Sequence, residues 1–298
     1  MQNIHRIIQY NPRDINTASV NQRTSAIHMW PAKKHCVFDG WVLRFLNPYT
    51  YRCNCIYPLK KGAIEIASKI QQCASIYQQM NYKYLFQIMP QDGTLDLLLH
   101  ASGYQKTLTT RWMAIKLNTL TEYTKKQQNC VVKLSKNWSE NRREIAGYSE
   151  LESSIYMKFY EAINLQTYPM VLFVDQYPVS CGLGIQVNRY LGIFDVRTKK
   201  EFQRQGYASI LIQSICKHAV HNGANSAQLH VSIENHAAIH MYHQLGFQTI
   251  CDYWFRKKNK DSKDLKNKSR GIRKKTKNKQ RLNQPGYKGP IQPKNEKL

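Results

Sequence analysis

The sequence TKKEFQRQGYASILIQSICKHAVHNG, residues 198–223, decides the fold class of the second half of the chain. A stretch rich in β-branched and aromatic residues, 190–198, leads into it and predicts a strand. After a polar loop, apolar side chains recur with the 3.6-residue period of a helix face, at Ala208, Leu211, Ile212, Ile215, Cys216 and Ala219. Asn222 and Gly223 are predicted to end this helix.

The flanking sequence extends this order of elements. Residues 170–174, 179–187 and 190–198 are predicted to form an antiparallel meander because short turn sequences separate them. Beyond the helix, the patterns predict a strand, a short helix ended by Gly246 and a final strand, at 227–233, 235–245 and 247–255. Residues 139–164 have helical patterning upstream.

The first half repeats part of this order. Residues 85–112 match residues 228–254 as strand, helix and strand, with Gly103 and Gly246 in corresponding places. A helix predicted at 63–77 occupies the place of the Ala208 helix. We interpret the chain as a diverged duplication, with halves at 1–117 and 130–258, a linker at 118–129 and a tail at 259–298.

Composition excludes several classes of protein. The chain has 298 residues, 42% of them hydrophobic, which suits two globular domains, and it has no apolar run long enough for a membrane span. Its first residues lack a secretory signal, so we expect a cytoplasmic protein with eight free cysteines. No cysteine spacing indicates a metal site, and His236, His240 and His243 are expected to form an exposed polar face.

Positive charge is concentrated at the end of the chain. The formal net charge is +25, and residues 256–298 contain 17 Lys and Arg against three Asp and Glu. With little apolar patterning, this tail is expected to be disordered in isolation. Two interpretations stay open for it: contact with RNA or the ribosome, and a solubilising extension without a dedicated partner.

The hexapeptide at 203–208 carries the strongest chemical signal. A helix N-terminus presents unpaired N–H groups and a positive dipole, and Gly206 lets an anion approach the backbone. Lys199, Lys200 and Arg204 add positive charge. The turn therefore suits a phosphate or pyrophosphate.

Two signatures in this order resemble one known family. Gln203-x-x-Gly206-x-Ala208 follows a strand, and Asn235, Ala238, Tyr242 and the Leu245-Gly246-Phe247 run lie downstream. Together they resemble the GNAT superfamily of acyl-CoA-dependent N-acyltransferases over roughly residues 130–258. The resemblance implies an α/β (α+β mixed sheet) tandem GNAT-like fold with a degenerate first copy. It also implies an N-acetyltransferase that uses acetyl-CoA and an amine acceptor.

The resemblance also implies roles for individual residues. Backbone amides of the turn should hold the acetyl-CoA pyrophosphate, namely those of Arg204, Gln205, Gly206, Tyr207 and Ala208, and Gln203 is counted among the cofactor-binding residues. Val196 and Thr198 should pair with the pantetheine arm. Tyr242 should protonate the departing thiolate, with packing of its ring as the alternative. Asn235 is either close to the cofactor or only a helix N-cap.

The general base does not follow the family pattern. The glutamate of many relatives would fall on Gly192, which has no side chain. Asp195 is the carboxylate available on that strand, but its offset places it on the opposite face unless a bulge intervenes. We take Asp195 as a candidate base, with a structural hydrogen-bonding role as the alternative.

The first half is expected to bind no cofactor of its own. Leu59 stands where its loop would need Arg or Gln, and Leu99 stands where the tyrosine would be. The acceptor stays open among amino acids, polyamines, small-molecule drugs and protein N-termini. The alternative function is an RNA- or ribosome-binding protein that uses the tail and a GNAT-like scaffold.

Overall fold

The computed structural model describes residues 21–30, 32, 34–46, 53–122 and 129–258, apart from the side chain of Gln22. The predicted tail at 259–298 lies outside these residues, and so does the part of the predicted linker at 123–128. The predictions made for those segments stay predictions.

The described residues form seven α-helices and eleven β-strands. The helices are α1 (Gln22–Met29), α2 (Ile66–Gln79), α3 (Gly93–Ala101), α4 (Trp138–Ala146), α5 (Glu150–Glu161), α6 (Tyr207–His221) and α7 (His236–Gln244). The strands are β1 (Lys34–Phe38), β2 (Trp41–Phe45), β3 (Cys55–Pro58), β4 (Leu85–Ile88), β5 (Tyr104–Lys116), β6 (Cys130–Leu134), β7 (Gln166–Val174), β8 (Tyr177–Val187), β9 (Tyr190–Thr198), β10 (Ser226–Ser232) and β11 (Gln248–Lys258). None of these helices is long and apolar enough to span a bilayer.

All the strands belong to one mixed sheet. Their order is β1-β2-β3-β4-β11-β5-β10-β9-β8-β7-β6. β3 runs parallel to β4 and β9 runs parallel to β10, and each parallel pair is connected through a helix, α2 in the first half and α6 in the second. The predicted fold class, a mixed sheet built from two related halves, is confirmed.

The last strand of each half lies in the other half of the sheet. β11 is antiparallel to β4, with Trp254 opposite Ile88. β5 is antiparallel to β10, with Trp112 opposite His230. The two exchanged strands are neighbours at the centre. The halves therefore share hydrogen-bonded strands, although the predicted boundaries at 117 and 130 stay a prediction.

The helical region predicted at 139–164 is divided into α4 and α5. Gly147 ends α4 in a left-handed conformation, with φ of 67°. Ser149 then begins α5, because its hydroxyl accepts from the Glu152 N–H while the Glu152 carboxylate accepts from the Ser149 N–H. This break makes α4 and α5 two separate helices, both of which pack on the same side of β9.

The cores cover both faces of the sheet. On one face, side chains of α6 pack against Leu229 and Val231 of β10 and against Tyr242 of α7. On the other face, Met29 of α1 and Trp138 of α4 pack against β8. The first half buries Leu85, Phe86, Ile88, Leu95 and Trp112, and Leu98 is partly buried. Each fully buried large side chain contributes about 1.5–3 kcal/mol.

Candidate active site

The turn between β9 and α6 leaves the N-terminus of a 15-residue helix without a side-chain cap. Gly206 is the N-cap residue, with φ of 88°, a left-handed conformation that favours glycine. Arg204 is also left-handed, with φ of 60°. Uncapped N–H groups and the positive end of the helix dipole meet here, and Lys200 and Arg204 are exposed beside them. The predicted anion cradle therefore fits a phosphate group.

The side chains of the turn hold its shape. The Gln203 amide donates to the Thr198 carbonyl at 3.1 Å, and the Gln205 amide donates to the Glu201 carbonyl at 2.9 Å. Tyr207 is buried in the core below the turn. The side chains of Gln203, Gln205 and Tyr207 are thus engaged within the protein, and contact between a ligand and the backbone of the turn, including that of Ala208, stays a prediction.

β9 and β10 separate beside this turn. Their parallel pairing runs as far as Ile193 opposite Leu229. On the other side of β9, the register with β8 shifts between Cys181 and Leu183. Asp195 has a φ of 50° at this place, which marks a bulge. Past Ile193 and Leu229 the described residues show no further pairing between β9 and β10, and we call the space between these two unpaired strand edges the groove.

The backbone N–H and C=O groups of Val196 and Thr198 face this groove. The Lys199 N–H donates to the Val179 carbonyl at 2.9 Å, on the β8 side. Because successive backbone groups of a strand face opposite edges, those of Val196 and Thr198 face β10. The Thr198 carbonyl already accepts from Gln203. Of the two, Val196 is better placed to pair with an extended ligand.

Tyr242 lies on α7 with its ring in the core. Its ring is 5.8 Å from that of Phe247, and its side chain is 7% exposed. Burial raises the pKa of the phenol, so it stays protonated at neutral pH. The Asn235 side chain accepts from the Ala238 N–H at 3.1 Å, which is the N-cap role considered for it.

Asp195 is held by three side chains. One carboxylate oxygen accepts from Arg142 Nε and from the Tyr160 hydroxyl, the latter at 2.6 Å. The other oxygen accepts from Arg197 Nε at 3.3 Å. Arg142 is 1% exposed, and the ring centroid of Tyr156 is 4.0 Å from its Cζ. This network favours the structural role that the sequence left open for Asp195.

The comparison with known families agrees with this geometry. A family model described as the acetyltransferase (GNAT) family matches residues 133–247, which contain the turn, the groove and Tyr242. Residues 133–247 of the chain form a GNAT domain. The protein is an acyltransferase, and the predicted family resemblance is confirmed.

Proteins similar to this chain match more than two thirds of it. Uncharacterized N-acetyltransferase YobR from Bacillus subtilis (strain 168) is 23% identical over 242 residues, which are 76% of this chain and 93% of that protein. A GCN5-related N-acetyltransferase from Kribbella flavida superposes with a TM-score of 0.64 at 13% identity, over 83% of this chain and 96% of the other. A tandem GNAT protein from the clavulanic acid biosynthesis pathway has a TM-score of 0.54 at 8% identity, over 68% and 74%. The similarity to these two solved structures shows the fold of the chain.

Sequence reasoning missed a second group of residues in this GNAT protein, on the α1 face of the sheet. The Tyr253 hydroxyl is 3.1 Å from His230 Nδ1, and the Trp112 ring stacks on His230 with centroids 6.1 Å apart. Trp112 Nε1 donates to Gln228, which in turn donates to the Ser25 hydroxyl of α1. Because three separate strands and α1 bring these residues together, no local sequence pattern signals the group.

The three histidines of α7 are exposed. Among the residues that the structure describes, no group of three or more His, Cys, Asp or Glu could hold a metal ion. The parts of the site that are available for chemistry are therefore the groove, the cradle before α6, and the side chains on the two faces of β9 and β10.

Proposed function

We propose that this GNAT protein transfers an acetyl group from acetyl-CoA to a primary amine in the groove between β9 and β10. The observation that carries the proposal is the uncapped N-terminus of α6, with Gly206 left-handed, at the head of that groove. In the sequence, this turn and Tyr242 lie in the order of the two family signatures. Nothing in the described residues favours the RNA-binding alternative.

The turn would bind the pyrophosphate and β9 would bind the arm. Backbone N–H groups from Arg204 to Ala208 would supply donors, and the Arg204 side chain would supply charge, whereas the Gln203 N–H already donates to the Lys200 carbonyl. Val196, past the bulge, offers backbone groups at an open strand edge, where an extended pantetheine can pair as an added strand. The thioester at the end of the arm would then lie near the point where β9 and β10 separate.

The chemistry needs a proton donor on the sulfur side. An amine attacks the thioester carbonyl carbon and forms a C–N bond, and collapse of the tetrahedral intermediate breaks the C–S bond. The departing thiolate takes a proton from the Tyr242 hydroxyl, whose raised pKa keeps it protonated. In support of this role, Tyr242 lies in the same core cluster as Leu229 and Val231 of β10, the strand that borders the groove.

The test is calorimetric titration of the full chain with acetyl-CoA, followed by measurement of thiol release across a panel of amines. We expect saturable binding, and thiol release that depends on an amine. A matched control uses desulfo-CoA, which keeps the pyrophosphate but cannot carry the acetyl group, so it should bind without thiol release. Absence of acetyl-CoA binding by folded protein would overturn the proposal.

A further inference from the structure

Two guanidinium groups and one carboxylate meet at the bulge of β9. The Asp195 carboxylate accepts from Arg142 Nε of α4 and from Arg197 Nε of β9, the latter at 3.3 Å. The Tyr160 hydroxyl, which also donates to Asp195, is neutral because burial raises its pKa. The group therefore carries two positive charges and one negative charge, so one positive charge is not matched within it.

Arg142 holds its charge away from water. Its side chain is 1% exposed, and its Nη2 atom is buried without a hydrogen-bond partner. The ring centroids of Tyr148 and Tyr156 lie 4.5 Å and 4.0 Å from its Cζ atom, so aromatic faces cover much of the guanidinium. Because charges act more strongly in such a setting than in water, the unmatched charge of the group favours an anion nearby.

Arg197 carries the charge that a ligand can reach. Its side chain is 50% exposed, and among the described residues its guanidinium bonds to Asp195 through Nε alone. The two terminal nitrogens of a guanidinium form a planar fork that matches the two oxygens of a carboxylate. Arg197 therefore offers an accessible pair of charged donors beside a second, buried cation.

The position of Arg197 places this charge at the groove. Arg197 comes between Val196 and Thr198, in the part of β9 that no longer pairs with β10 among the described residues. Burial raises the pKa of the Tyr242 phenol, and the positive charge of Arg197 acts in the opposite direction. The guanidinium is thus within electrostatic range of the proposed proton donor, close to the place where an acceptor has to bind.

We propose, on the basis of the function proposed above, that Arg197 binds a carboxylate of the acceptor and that the acceptor is an amino acid, acetylated on its amino group. The terminal N–H groups of Arg197 donate to the two carboxylate oxygens, and Arg142 adds attraction from below without contact. One unmatched positive charge suits the single negative charge of a carboxylate better than the two of a phosphate monoester. A polyamine has no anion to offer and would be repelled by both guanidinium groups.

The experiment compares L-amino acids with their C-terminal amides, which keep the amine and the side chain but lack the negative charge. Thiol release from acetyl-CoA measures turnover, and calorimetry measures acetyl-CoA affinity. For the wild type, we expect the best amino acid to exceed its own amide in kcat/KM by at least about tenfold, because a charge-assisted pair is lost in the amide. Spermidine and O-phosphoethanolamine, a polycation and a phosphate, should both fall below that amino acid.

Two variants test the residue itself. Arg197→Gln removes the charge and shortens the side chain little, and Arg143→Gln, at the more exposed guanidinium next along α4, is the matched control. Arg197→Gln should raise the KM for the amino acid about 10- to 100-fold, with kcat and acetyl-CoA affinity little changed and the amide unaffected. A merely structural role would instead lower turnover of the amino acid and the amide alike. Arg143→Gln should change none of these quantities.

The possible outcomes separate this inference from the proposed function. With acetyl-CoA binding intact, the inference is overturned if the wild type uses amino acids no better than their amides, or uses neither. A preference for spermidine or O-phosphoethanolamine, or an unchanged KM for the amino acid in folded Arg197→Gln, would overturn it too. Weaker acetyl-CoA binding in Arg197→Gln, with no selective loss of the amino acid, would assign the guanidinium to the cofactor instead. If Arg197→Gln does not fold, the wild-type comparison of amino acid with amide decides. Loss of acetyl-CoA binding in the wild type would overturn the proposed function itself.

Discussion

The carboxylate of Asp39 accepts a hydrogen bond from the backbone N–H of Ala63 at 2.8 Å, in the loop that leads into α2. The Ile64 N–H also donates to it at 2.9 Å, and Lys69 Nζ lies 2.5 Å away. These three donors hold the pKa of Asp39 below its usual range, with the Lys69 hydrogen bond as the largest cause. A Cβ on Gly62 would lie 2.0 Å from this carboxylate. In the first half, an internal anion thus occupies the loop that corresponds to the cradle before α6.

The N-terminus of α2 is also capped, unlike that of α6. The Glu65 carboxylate accepts from the N–H groups of Ala67 and Ser68, both at 2.9 Å. We therefore predict one acetyl-CoA site per chain. Calorimetry should give a stoichiometry near one, and Gly206→Glu should abolish all binding rather than leave a residual site. A stoichiometry of two would contradict the assignment of the first half as a structural partner.

Gly206 allows a direct test of the cradle with a matched control at the other end of the same helix. Gly206 has φ of 88° before α6, and Gly223 has φ of 85° after it, where an added Cβ meets nothing within 4 Å. An alanine at either position should cost about 1–2 kcal/mol of folding free energy because of the left-handed backbone. Only Gly206→Ala should also weaken acetyl-CoA binding in calorimetry. Equal affinities for the two variants would count against the cradle.

Tyr242→Phe tests the proton donor. The change removes the hydroxyl and keeps the ring, so we expect turnover to fall about 10- to 1000-fold with little change in acetyl-CoA affinity. Because burial raises the pKa of Tyr242, wild-type activity should not fall on the alkaline side up to about pH 9 through this group. Tyr177→Phe, at an exposed tyrosine, is the control. Turnover equal to wild type would assign Tyr242 to packing alone.

Asp96 and Arg256 join the first half to the exchanged strand β11. Arg256 donates to both carboxylate oxygens at 2.7 Å, and Trp254 Nε1 donates to one of them at 2.7 Å. Because the pair is largely buried, Asp96→Asn should cost about 3 kcal/mol in unfolding free energy. The Arg256 hydrogen bond lowers the pKa of Asp96, so its contribution is complete above the usual carboxyl pKa near 4 and is lost as the pH falls through the lower folded value.

A second pair between exchanged strands is the control for Asp96. Arg111 and Asp252 connect β5 with β11 through two hydrogen bonds of 2.8 Å, but their side chains are 28% and 38% exposed. Asp252→Asn should therefore cost only about 0–1 kcal/mol. Urea titration of both variants at pH 7 measures the difference. Similar costs for the two would show that the exchanged strand does not depend on Asp96.

The sequence predicts local elements well because their patterns are local. The β9 strand at 190–198, the α6 helix and the turn at 203–208 follow from period, turn residues and a glycine. The exchange of β5 and β11 depends on which strands pair across the whole chain, and no periodicity encodes it. Arg142 and Arg143 are adjacent and chemically identical, yet their side chains are 1% and 42% exposed. Asp39 lies 24 residues before Ala63, the residue whose N–H it accepts from, so its role can be seen only in the folded structure.

Asp195→Asn separates a positioning role from a role as base. In the wild type, both carboxylate oxygens accept from guanidinium groups, and the buried Arg142 depends on this carboxylate for its ion pair. The amide removes the negative charge, so we expect a loss of about 3–5 kcal/mol in unfolding free energy and weaker acetyl-CoA binding as the β9 bulge shifts. Turnover at saturating acetyl-CoA should stay within about tenfold of the wild type, because a positioning residue does not itself accept the proton. Glu144→Gln, which breaks the more exposed pair with Lys199, is the control and should cost no more than about 1 kcal/mol. A folded Asp195→Asn variant that binds acetyl-CoA normally but loses turnover at saturating acetyl-CoA would instead identify Asp195 as the base.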